Sequence, residues 1–64
     1  MTEYGKKIKI RLIELEKNQT WLIDQVKKET GLYFDDSYMY KIVHGKVATP
    51  SIVNAINKIL GLGA

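Results

Sequence analysis

The stretch from Asn18 to Gly45 constrains this chain more than any other: NQTWLIDQVKKETG, then LYFDDSYMYKIVHG. It reads as two short helices joined by a turn. Asn18 can cap the free N–H groups at the start of the first helix, Leu22 and Val26 fall one turn apart, and Gly31 stops it. The second opens at Asp35 or Asp36, carries Met39, Ile42 and Val43 inward, and ends at His44-Gly45. One aspartate of the pair is expected to be the cap, and His44 to occupy the helix terminus.

The flanking segments read as support for that pair. Thr2 can cap a first helix, with Glu3 against the positive end of its dipole. Tyr4, Ile8, Leu12 and Leu15 then form one apolar stripe. Ile10 and Ile13 lie off it, which implies packing on a second side or partial exposure. Glu16-Lys17-Asn18 is a polar connection. Leu32-Tyr33-Phe34 is strongly apolar and is expected to tuck under the bundle, with the Tyr33 hydroxyl wet. Trp21 is expected to be a packing residue. Thr49-Pro50 reads as N-cap followed by N1 proline, and the last helix runs from Pro50 to about Leu60, closed by Gly61. Residues 61–64 are expected to be a loose tail, with Leu62 able to fold back.

The expected fold is all-α: one compact four-helix domain, residues 1–64, containing a helix-turn-helix. Its expected core is Ile8, Leu12, Leu15, Leu22, Val26, Met39, Ile42, Ile56 and Ile59. At 64 residues the buried fraction is modest, and with no cysteine there is no disulfide to compensate. A single histidine cannot build a metal site alone, so neither metal nor cofactor is expected. There is no nucleophile–base–orienter set and no Gly-rich phosphate loop, so the chain is not read as an enzyme. No apolar run approaches membrane-spanning length, and MTEYGKK lacks a signal-peptide core, so the expected location is cytoplasmic and away from membranes.

The net charge of +3 and the pI near 9.3 fit a nucleic-acid partner, although the placement of charge matters more than its sign. Lys6, Lys7, Lys9 and Arg11 form a cationic run on the first helix. On the third helix the periodicity leaves Ser37, Tyr40, Lys41 and, at the margin, Tyr38 facing outward. Hydroxyls, phenols and a lysine there suit base edges or phosphates; either tyrosine could instead fold back onto the bundle. Gln19, in the first turn of the second helix, could offer its amide to a phosphate beside the helix's own N–H groups. In a helix-turn-helix the second helix of the pair enters the DNA major groove.

In order and spacing these features resemble the Cro/repressor-type (lambda-repressor-like, phage-like) helix-turn-helix family. The resemblance runs from about Tyr4 to Leu62. It rests on Gln19 ahead of Leu22, then Val26, Gly31, Met39-Tyr40-Lys41-Ile42, His44-Gly45, Thr49-Pro50 and Ile59-Leu60-Gly61. The likeness implies a small Cro-like transcription regulator reading double-stranded operator DNA. It places recognition positions at Asp36, Ser37, Tyr40 and Lys41, and a phosphate clamp at Gln19 and Lys46. The chain departs from the family in its longer turn between the paired helices and in the negative Asp36. It also has Val43 where relatives often carry a glutamate, and it lacks a fifth helix.

A single recognition helix discriminates poorly against bulk DNA, so two copies on a palindromic operator are expected. The protein alone is expected to be a monomer or weak homodimer, pairing on DNA through Ile52, Val53, Ile56, Ile59, Leu60 and Leu62. The alternative is a protein-interaction module that uses the same frame and its aromatic surface to bind a partner protein.

Overall fold

Helix boundaries follow capping chemistry. The computed structural model describes residues 2–62, which form α1 (Glu3–Glu14), α2 (Gln19–Thr30), α3 (Asp36–Val43) and α4 (Pro50–Leu60), with no strand among them. The Thr2 hydroxyl accepts from the Gly5 N–H at 3.0 Å, and the Asn18 side chain accepts from the Trp21 N–H at 2.8 Å. At α3 the cap is Asp35, which accepts from the Tyr38 N–H at 2.8 Å, and Asp36 is the first helical residue. Thr49 precedes Pro50 as expected but makes no side-chain cap bond. Proline at N1 lacks one of the N–H groups that a helix start leaves without an intrahelical partner. The Thr49 hydroxyl is hydrogen-bonded instead to the Tyr38 hydroxyl.

The stops are equally specific. Gly31, Gly45 and Gly61 all take positive φ, near +70°, just past the ends of α2, α3 and α4. Beyond α3 the Lys46 N–H donates to the Lys41 carbonyl at 2.8 Å and the Gly45 N–H to Ile42 at 3.2 Å, the paired bonds of a Schellman stop. α1 ends in the same way without a glycine. Glu16 takes the left-handed position with φ +58°, while the Lys17 N–H reaches the Leu12 carbonyl at 2.9 Å.

The core joins all four helices, with α2 packed most extensively on α4. Ile8, Leu12, Leu22, Val26, Met39, Ile42 and Ile56 are buried as expected, joined by Ile23, Phe34, Val43, Ile52, Ala55 and Leu60. Leu15 and Ile59, expected inside, only pack against the edge. The apolar bridge after α2 does not tuck in as a unit. Phe34 is fully buried and tilts against Tyr38 with ring centroids 5.0 Å apart, whereas Leu32 and Tyr33 stay 47% and 75% exposed. Below α3 the core thus takes in one side chain of the three.

Polar ties fix the helices to one another. The Tyr4 hydroxyl donates to the Asn57 side chain at 2.8 Å, Arg11 Nε donates to the Leu60 carbonyl at 2.7 Å, and Lys58 pairs with Glu29 at 2.9 Å. The α4 surface expected to pair two copies is largely consumed in this packing. Ile52, Ile56 and Leu60 are buried, and Val53, Ile59 and Leu62 are partly covered. Of the residues expected as a loose tail, Leu62 is tied back by its N–H, which donates to the Asn57 carbonyl at 2.9 Å, while Gly63 and Ala64 lie outside the described residues. No described helix is long and apolar enough to cross a membrane.

Candidate nucleic-acid interface

α3 divides cleanly into two faces. Met39, Ile42 and Val43 are buried against the bundle, while Asp36, Ser37, Tyr40 and Lys41 are exposed. That division is what a helix offering polar side chains to a partner requires. Tyr40 is 53% exposed; its ring lies 4.2 Å from that of His44, and the Lys46 ammonium stands 5.7 Å from the ring centroid. Tyr40, His44 and Lys46 thus form one stacked cluster at the C-terminal end of α3. A phenol flanked by an imidazole and an ammonium can donate to a phosphate or a base acceptor.

Ser37, Tyr38 and Lys41 come together around a second feature, an open cleft of about 330 Å³. Its remaining walls are Tyr33, Asp35 and Val47, none of which the periodicity of α3 could indicate because they lie before and after the helix. Tyr38, expected at the margin of the outward face, is half-buried. Its ring packs toward Phe34 and its hydroxyl is engaged by Thr49, so it forms cleft wall and not a free contact.

Charge is distributed unevenly along α3. The Tyr33 hydroxyl donates to the Asp35 carboxylate. That bond, followed by the Tyr38 N–H, holds the Asp35 carboxyl below the usual carboxylate range. The same carboxylate pushes the Tyr33 phenol up. With Asp35 ionised and Asp36 exposed beside it, the start of α3 repels a phosphate and suits a neutral base edge that donates hydrogen bonds. Cations lie toward the other end of the helix, at Lys41 and Lys46.

Gln19 is the first residue of α2 and is half-buried. Asn18 satisfies the Trp21 N–H, leaving those of Gln19 and Thr20 without an intrahelical acceptor. Such a start can take an anion, with Lys17 close by, its ammonium 5.5 Å from the Trp21 ring centroid. Arg11 is less available, being tied to the Leu60 carbonyl and to Glu14 at 3.3 Å. No family model, curated protein or solved structure matches the chain.

Proposed function

We propose that this domain binds double-stranded DNA in a sequence-specific way, laying α3 into the major groove as a small Cro-like regulator does. The observation that carries the reading is the two-faced α3: three apolar side chains sunk in the core, and Ser37, Tyr40 and Lys41 exposed on the opposite side. Ser37 and Lys41 read base edges, and Asp36 faces the base that carries an exocyclic amine. Tyr40 and Lys46 hold the backbone at the C-terminal end of α3, while Gln19 and the free N–H groups at the start of α2 supply a second backbone anchor. On a palindromic operator two copies would place their recognition helices about 34–36 Å apart.

Selection of bound fragments from random genomic DNA, followed by titration of the enriched fragment at several salt concentrations, tests the reading. Affinity falling steeply with salt is expected, because neutralised phosphates release counterions at about 0.9 per contact. Failure to enrich any sequence would remove the specific-DNA reading. The exposed Leu32 and Tyr33 are the observation that favours a protein partner instead. Salt-insensitive association with a protein and no enriched DNA would support that alternative.

A further inference from the structure

The outer face of α1 has no counterpart in the core. Ile10 is 57% and Ile13 75% exposed, on the side opposite the buried Gly5, Ile8 and Leu12. Lys6 stands one turn before Ile10 on the same face, and it is exposed. Lys7 and Glu14 are exposed too, and at about 3.6 residues per turn their separation puts both on one flank of this stripe.

From this arrangement we infer that α1 is a self-pairing surface whose occupant is the α1 of a second copy, antiparallel about a two-fold axis beside Ile10. In that register Ile10 meets Ile10 of the other copy. Ile13 lies along the aliphatic stem of the opposite Lys6, whose ammonium stays in water. Lys7 of each copy faces Glu14 of the other, whose carboxylate also holds Arg11 of its own copy at 3.3 Å, giving two symmetric ion pairs, as an isologous interface demands. A parallel two-fold arrangement would set each flank against the opposite flank of the other copy, placing Lys7 beside its Lys6 and Glu14 beside its Ile13. Charge complementarity therefore selects both the occupant and its direction.

The apolar area is small. Two isoleucines per copy fall well short of the roughly 800 Å² per partner of a standard stable interface, and Lys9 meets its own copy on the far flank. The pairing is accordingly weak and concentration-dependent. It does not rest on the DNA reading, and it would supply a contact between two copies apart from α4, where Ile52, Ile56 and Leu60 are buried.

Sedimentation equilibrium of the whole chain without DNA tests it, with circular dichroism to verify that each variant is folded. Wild-type protein is expected to show reversible monomer–dimer behaviour, and Ile10→Ser to remain monomeric at the same concentrations. Lys7→Glu and Glu14→Lys singly are each expected to weaken pairing about tenfold. The double variant Lys7→Glu/Glu14→Lys is expected to restore it. Wild-type protein that stays monomeric up to roughly 1 mM, the weak end of measurable affinity, overturns the inference. So does a double variant that pairs no better than the two single ones.

Discussion

The hydroxyl of Thr2 donates to the carbonyl of Val43 at 2.8 Å while accepting from the Gly5 N–H, so one side chain caps α1 and clasps the end of α3. Both bonds pin the hydroxyl, and with it the direction of the Thr2 methyl. A Cβ built on Gly45 would meet that methyl at 2.8 Å, and Gly45 also has φ +73°. Gly45→Ala is therefore expected to carry two separable costs. The left-handed backbone contributes about 1–2 kcal/mol and the clash a further share. In a Thr2→Ser background, which keeps the cap and removes the methyl, only the backbone cost should remain. Denaturant midpoints for the four proteins of this cycle give the coupling, and a value near zero would mean that the methyl moves aside freely.

Leu22 is fully buried where α2 meets the rest of the core. Leu22→Ala should cost about 2–5 kcal/mol. A domain of this length has a total stability of roughly 3–10 kcal/mol, so the variant is expected to be largely unfolded at 37 °C. Thermal melting followed by circular dichroism checks this, and a wild-type melting curve would contradict the packing of α2.

Glu16 offers a gain. It holds φ +58° in a stop that α2 and α4 build with glycine. Glu16→Gly removes the strain of the left-handed Cβ but adds freedom to the unfolded chain, for a net stabilisation of about 0.5–1 kcal/mol. An upward shift of the urea midpoint with an unchanged slope is the expected result.

That stop also shows what the sequence could and could not disclose. Gly31, Gly61 and Thr49-Pro50 announce their boundaries because their backbone chemistry is unusual, and Thr2, Asn18 and Asp35 because short polar side chains favour caps. Glu16 carries no such mark; only the bonds from Lys17 and Glu16 to Leu12 and Ile13 expose its role. Periodicity separated the faces of α3 correctly but could not count the places beneath it, so Phe34 was indistinguishable from Leu32 and Tyr33. The cleft was invisible for a related reason. Its walls come from two loops and a helix, and a helical period describes only the helix. The excess of apolar residues on α4 looked like a docking surface because the depth of its groove against α2 and α1 is a tertiary quantity.

The lowered Asp35 carboxyl sets a pH dependence with a definite sign. A group whose pKa is depressed on folding contributes stability above its unfolded value, near 3.9, and loses it as pH falls through the lower folded value. Asp35 therefore supports the fold at neutral pH and contributes to its acid unfolding below about pH 4. Tyr33→Phe removes the largest cause while leaving the Tyr38 N–H in place. Carbon-detected NMR titration should show the Asp35 carboxyl shifting partway back toward its ordinary value in that variant. An unchanged titration would assign the lowering to the helix start alone.

Lys46 and Lys41 lie beyond and within α3, and the DNA reading gives them different work. Lys46 stands over Tyr40 and has its N–H committed to the Lys41 carbonyl, so its ammonium is held near the helix end, where a phosphate would pass. Lys46→Ala should weaken binding to all sequences about equally and reduce the salt slope by about one unit. Lys46→Arg, which keeps the charge and the aromatic contact, should leave the slope unchanged. Lys41 shares the cleft with Ser37. On the DNA reading it meets base edges, so Lys41→Ala should alter the preferred sequence at one position by about 1–3 kcal/mol. Parallel fragment selections with wild type and the variants separate the two roles. If Lys41→Ala retains both affinity and preference, α3 does not enter the groove, whatever Lys46 does.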